Sequence, residues 1–314
     1  MIKTIGVTKR FGDIVAVDHI NAEIKEGSVF GLIGTNGAGK STFLRLLSGI
    51  LRPDEGEILI DNENVYENTV RKEEFFYISD DQHYLSNAAP SDMIRFYRLF
   101  YPQFDEKRAG ELLSGFGLDA DRKIRTFSKG MKKQLSVILG LSAKTRYLFC
   151  DETFDGLDPV MRQTVKSLFA QDMADRGLTP VIASHNLREL EDICDHVGLL
   201  HKGGILFSKD LEDMKTGIHK IQCVPSSIPS VLTEKGTIAN ASETAKVLFP
   251  AMDILLCERH GSILTMTVRG AEDEIRHKMN SYETIFYEIV PLTLEEIFIS
   301  ETEVKGYDIK KLVL

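Results

Sequence analysis

The chain has 314 residues, 43% of them hydrophobic and 27% charged, with a net charge of −9. That composition is globular, with length enough for more than one domain and a sizeable core, and it excludes a fibre or a disordered chain. The acidic balance argues against a nucleic-acid partner, which calls for a basic surface.

No apolar signal region follows Met1-Ile2-Lys3-Thr4, and no apolar run reaches bilayer-spanning length. If the protein serves a membrane, another chain must cross it. The opening reads as a β-meander. Ile20, Ala22 and Ile24 alternate with polar residues, the period of a half-buried strand. Glu26-Gly27 turns the chain into the apolar run Val29-Phe30-Gly31-Leu32-Ile33, a buried strand. Gly34-Thr35-Asn36-Gly37-Ala38-Gly39-Lys40-Ser41 follows, then Thr42. Phe43, Leu44, Leu46, Leu47, Ile50 and Leu51 then fall at helical spacing. Arg52-Pro53-Asp54-Glu55-Gly56 is a turn, and Glu57-Ile58-Leu59-Ile60 another strand. The charged run Arg71-Lys72-Glu73-Glu74 reads as a solvated face.

Residues from about 90 to 143 read as mainly helical. Pro90-Ser91-Asp92 suits a helix start, and Phe96, Tyr97, Phe100, Tyr101 and Phe104 recur at helical spacing. Tyr147-Leu148-Phe149-Cys150 and Val181-Ile182-Ala183 are continuous apolar runs, as in buried parallel strands. Strands alternating with helices predict an α/β sheet with a helical insertion. From about residue 216 the order becomes βαββαβ, which predicts a small α+β domain of ferredoxin-like type over 216–314. Cys150, Cys194, Cys223 and Cys257 are scattered, with no C-x-x-C pair, the pattern of buried free thiols.

Residues 34–41 match the phosphate-binding spacing G-x-x-x-x-G-K-[ST], in the strand–loop–helix context it requires. Gly34, Gly37 and Gly39 are expected to turn through positive φ, so that successive N–H groups line one concavity. Lys40 supplies a cation to β- and γ-phosphates. The Ser41 hydroxyl suits Mg²⁺, and the helix that starts here turns its positive end to the anion. Asp151-Glu152 follows a buried strand directly. The first carboxylate suits a metal, and the second suits the attacking water. Ser184-His185 ends the next apolar strand, at the edge where α/β sheets bind ligands.

With Thr126-Phe127-Ser128-Lys129-Gly130-Met131 the chain resembles the nucleotide-binding subunit of an ABC transporter. Phe127-Ser128-Lys129-Gly130-Met131 is similar to the family signature in its exporter variant. Gly156-Leu157-Asp158 resembles the D-loop, and His185 the switch histidine. The resemblance covers residues 2–215. It implies a P-loop NTPase fold: a RecA-like core with antiparallel β and helical subdomains, the helical one over about 85–143. It also implies two copies closed head to tail around two ATP molecules, identical or paralogous. Gly34 to Thr42 of one copy would hold the phosphates, and Ser128 and Gly130 of the other would cover them. The resemblance further implies a polytopic permease partner and a place on the inner face of the cell membrane. Leu294-Glu295-Glu296-Ile297-Phe298 resembles a tail of exporter-type subunits.

Several positions stay open. Phe11 matches the place of an adenine-stacking aromatic or packs in the core. Asp80 stands where the family has a metal-loop Gln, with Gln82 two residues on. The aromatic stripe 96–104 packs the helical insertion or receives a helix of the membrane subunit. Thr153-Phe154-Asp155 departs from the family pattern before the D-loop. A soluble ABC-type ATPase with a regulatory role is the alternative function. A GTPase would show Asn-Lys-x-Asp, which the sequence lacks.

Overall fold

The computed structural model describes residues 1–226 and 238–298. They fall into two compact units, Met1–Ser208 and Lys209–Leu314, where the sequence suggested a division at 215/216. Residues 227–237 and 299–314 of the expected second domain lie outside the described ones.

The first unit opens with β1 (Ile2–Phe11) and β2 (Ile14–Ile24), an antiparallel hairpin in which Ile2 faces Ile24. β3 (Phe30–Ile33) is buried throughout and leads into α1 (Lys40–Leu47). α1 is shorter than the apolar spacing suggested. Gly49, at φ 58°, turns the chain away, so Ile50 is exposed rather than on the buried helix face. β4 (Glu55–Ile60) and β5 (Glu63–Asn64) complete an antiparallel sheet of order β2-β1-β4-β5.

α2 (Thr69–Lys72) and β6 (Phe75–Ile78) follow, then the helical insertion: α3 (Pro90–Arg98), α4 (Glu106–Gly115) and α5 (Lys129–Ser142). Pro90 opens α3, and the Asp92 carboxylate accepts from Ala89 N at 2.9 Å. α3 stops at Arg98, so Phe104 is a buried residue beyond the helix and not the end of its aromatic face. The run Arg71–Glu74 is a solvated face only in part: Glu73 is exposed, but Arg71 turns inward. Arg71 is largely buried, 3.0 Å from Glu63 and paired with Glu74.

β7 (Tyr147–Asp151), α6 (Pro159–Arg176), β8 (Thr179–Ser184), α7 (Leu187–Glu191), β9 (His196–His201) and β10 (Gly204–Asp210) complete the second sheet. Its order is β10-β9-β3-β8-β7-β6, and β9, β3, β8, β7 and β6 run parallel. Register matters for function. Ile33 pairs with Ser184, and Asp151 with Ala183. The carboxyl ends of β3, β8 and β7 are therefore level, and their loops meet at one edge of the sheet. A single core joins the two sheets through α1, with Ile2, Val17 and Ile58 packed among Phe30, Phe43, Leu47 and Phe149.

In the second unit, α8 (Leu211–Thr216), β11 (Ile218–Pro225), α9 (Ile238–Leu248), β12 (Asp253–His260), β13 (Ile263–Arg269), α10 (Glu272–Met279) and β14 (Thr284–Val290) follow in order. The sheet order β12-β13-β11-β14, antiparallel at every pairing, is that of a ferredoxin-like βαββαβ unit. Ile221, Ala245, Cys257, Met266 and Ile275 form a core of their own. All four cysteines are buried and free. Among the described residues no helix is long and apolar enough to cross a membrane.

Because the two cores share no residue, we propose that the first unit binds nucleotide alone. A chain lacking residues 216–314 should bind an ATP analogue within about threefold of the full chain by calorimetry, under about 1 kcal/mol. Loss of binding would show that the tail completes the site.

Candidate nucleotide site

The loop between β3 and α1 is built by two different uses of glycine. Gly37 (φ 79°) and Gly39 (φ 106°) adopt the left-handed backbone. Gly34 does not, contrary to the expectation from sequence. What it needs is space, since a Cβ there would lie 2.6 Å from the Leu200 carbonyl oxygen. Thr35 and Asn36 are exposed at the loop's crest. Ala38 is buried, with its N–H donating to Thr35 O at 3.1 Å.

Lys40, only 5% exposed, folds back over this loop. Its Nζ donates to Gly34 O at 2.7 Å and to Thr35 O at 3.2 Å, and lies 3.3 Å from Glu152 Oε1. One residue on, Ser41 Oγ donates to Asp151 Oδ1 at 3.0 Å. Thr42 follows, half-buried in the first turn of α1. Loop and acidic strand end are thus joined by two adjacent links.

Asp151 is fully buried, and the Tyr77 hydroxyl donates to its Oδ2 at 3.1 Å. Burial is the chief cause that pushes its carboxyl above the usual carboxylate range; the two hydroxyls act the other way. Burial also raises the Tyr77 phenol, to about 12, so it stays a donor at neutral pH.

Glu152 sits at φ 46°, a left-handed backbone uncommon for this residue. Its N–H donates to Ala183 O at 3.0 Å. His185 Nδ1 lies 2.9 Å from its Oε2, and His185 itself is half exposed. Glu152 therefore stands between Lys40 and His185.

Asp80 pairs with Lys133 at 3.1 Å, and Gln82 Nε2 donates to Ser79 O at 2.9 Å and Asp80 O at 3.1 Å. The Asp80 carboxylate is thus held by a cation, and the Gln82 amide by its own loop. Phe11 is 48% exposed, under the Lys9 ammonium at 5.6 Å, so it is not a core residue. Its ring is open to a ligand.

Ser128 caps α5, accepting from Met131 N at 3.2 Å, a bond that stabilises a helix by about 1 kcal/mol. Its side chain is exposed. Among the described residues no hydrogen bond joins Ser128 or Gly130 to the Gly34–Thr42 loop. Gly130 and the neighbouring Lys129 meet the D-loop segment instead. A Cβ on Gly130 would lie 3.3 Å from Gly156 O, and Lys129 pairs with Asp155 at 3.1 Å. The departure at Thr153-Phe154-Asp155 has its reason here: Phe154 is fully buried against Phe169, with ring centroids 6.2 Å apart.

A family model described as ABC transporter matches residues 17–155. The bacitracin transport ATP-binding protein BcrA of Bacillus licheniformis is 32% identical, over 68% of this chain and 71% of its own. The chain belongs to the ABC transporter ATP-binding proteins. The ABC transporter ATP-binding protein YtrB of Bacillus subtilis is 27% identical over 96% of this chain and 98% of its own. A solved ATP-binding subunit of an ABC transporter superposes with a TM-score of 0.64 at 23% identity, covering 68% of this chain and 92% of that one, which shows the fold. As a family member, the protein binds and hydrolyses ATP.

Two residues of this ABC ATPase site escaped the sequence reading. Tyr77 gave no local signal, because its role depends on a strand that follows seventy residues later. Lys133 did leave one. It is a charged residue in helical phase with Val137 and Gly140, all of them buried.

Because the fold holds Asp151 against its ionised form, Asp151→Asn should stabilise the nucleotide-free protein. The folded chain binds that proton more tightly than the unfolded one, so the cost is present at neutral pH and shrinks as pH falls. The expected result is a rise in melting temperature at neutral pH. The rise should diminish at acid pH; an unchanged or lower value at neutral pH would contradict it.

Proposed function

We propose that two copies of this chain, or one copy and a paralogue, close around ATP and reopen on hydrolysis, driving a separate polytopic permease. The observation that carries this reading is a divided site. Gly34 to Thr42, Asp151, Glu152 and His185 are assembled in one chain, while exposed Ser128 and half-buried Gly130 have, among the described residues, no hydrogen bond to them. A second chain would supply its own Ser128 and Gly130 to the γ-phosphate, with the N-terminus of its α5 turned toward that anion. ATP at a hundredfold its dissociation constant would favour the closed state by about 2.7 kcal/mol.

Within each half, loop N–H groups and Lys40 bind the β- and γ-phosphates, and Phe11 stacks on the adenine. The oxygens of Ser41 and Asp151, 3.0 Å apart, fit Mg²⁺. Among the described residues no group of three or more acidic, His or Cys side chains could hold a metal alone. A two-oxygen site suits an ion that keeps its waters and shares phosphate oxygens. The ion would neutralise charge on the phosphates. Asp80 would reach its water shell only by leaving Lys133. Glu152 accepts a proton from the attacking water, and His185 holds the Glu152 carboxylate in place and contacts the γ-phosphate.

Docking to the permease is supported by the insertion. Phe96, Tyr97, Phe100 and Tyr101 of the α3 region line a groove of about 420 Å³ with Thr69 and Lys72. Phe100 is 57% exposed. The stripe therefore divides: part packs the insertion and part faces outward, where a short helix of the membrane subunit would lie. On this reading the protein works at the cytoplasmic face of the membrane, beside its permease. Export is favoured by the Ser128-Lys129-Gly130-Met131 variant and by Leu294-Glu295-Glu296-Ile297-Phe298.

Glu152→Gln should keep ATP binding, slow turnover by about 100-fold or more, and sediment as a dimer with ATP. A monomer in saturating ATP would count against closure of isolated subunits. Unchanged turnover would remove Glu152 from the chemistry.

A further inference from the structure

Lys133 is wholly buried, on the inward face of α5 one turn beyond the exposed Ser128. A buried ammonium is tolerated only with anionic or carbonyl partners. It has both. Nζ lies 3.1 Å from Asp80 Oδ1 and also donates to the backbone oxygen of Glu152. A Gln or Met would fill similar space without burying a charge, so the lysine needs a reason in what it holds.

Glu152 has an unusual backbone at φ 46°, and both its peptide groups are fixed. Its N–H is tied to Ala183 O at 3.0 Å, and its C=O to Lys133. With both fixed, the side chain is aimed between Lys40 and His185. One of the two pins belongs to the sheet and cannot move without it. The other belongs to α5 and is shared with Asp80, half-exposed in the loop after β6.

We infer that Lys133 is a positioning residue that couples the 79–82 loop to the aim of the Glu152 carboxylate. When Asp80 leaves Lys133, the ammonium loses its only carboxylate partner among the described residues, and its hold on the Glu152 carbonyl changes. α5 carries Ser128 at its exposed end, so the same helix reports closure by a second copy. The inference rests on Glu152 acting on the attacking water.

The test compares Lys133→Met, Asp80→Asn and the double variant, with Glu152→Gln in parallel, in the full-length protein. Steady-state kinetics give kcat and KM for Mg-ATP; calorimetry gives affinity for a nonhydrolysable analogue. Each single variant should lower kcat by about tenfold or more, with KM and analogue affinity within about threefold. The double variant should lose no more than the worse single, since Lys133→Met already removes the link to Asp80 that Asp80→Asn cuts. Losses that multiply, a kcat within about twofold of wild type, or a matching loss of affinity would overturn the coupling. If Lys133→Met does not fold, Asp80→Asn decides alone, because its side chain is half in solvent. Full turnover in Lys133→Met beside a dead Glu152→Gln sinks only this inference. Full turnover in Glu152→Gln sinks the reading beneath it.

Discussion

The Lys40 ammonium is the constraint on which the rest of the site depends. At 5% exposure it must find acceptors inside the protein, and it finds two loop carbonyls and the Glu152 carboxylate. In satisfying itself it draws the loop after β3 onto the end of β7. A triphosphate offers the same cation a stronger set of oxygens. In the proposed cycle, nucleotide therefore does two things at once. It takes Lys40 from Glu152, and it frees that carboxylate to face water beside His185.

The fold makes this exchange possible by register rather than by any one residue. Ile33, Ser184 and Asp151 end three neighbouring parallel strands at nearly the same level. Each strand then delivers its chemistry without further reach: the glycine loop, His185, and Asp151 with Glu152. The antiparallel sheet supports α1 from its other side through the shared core of Ile2, Val17, Ile58 and Phe43. The helical insertion contributes differently. It holds Ser128 outward, and it sends Lys133 inward to the backbone of Glu152. In the proposed cycle, one helix would touch both halves of a site closed between two chains.

The phosphate loop and the strands around it were legible in the sequence because their chemistry is local. A turn that lines up N–H groups needs glycines in a row, and a strand covered on both faces needs an unbroken apolar run, as at 147–150. The βαββαβ order of the tail was legible for a similar reason, since its periods change at each turn. What the sequence hid is long-range. Gly34 is glycine because Leu200 O passes beside it, far along the chain. Arg71 looked solvated because Glu63 and Glu74 close over it only in the fold. Ile50 and Leu51 extended the apparent helix, although Gly49 between them and Leu47 was the visible stop. Phe11 could not be assigned from its type alone; exposure decided against the core.

The most direct measurement is a structure of the protein with a nonhydrolysable ATP analogue and Mg²⁺. The triphosphate should lie along Gly34–Thr42, with Lys40 Nζ moved from Glu152 to phosphate oxygen and the Ser128 of a second chain against the γ-phosphate. A loop left without nucleotide, or a nucleotide bound while Lys40 keeps its contact with Glu152, would contradict it.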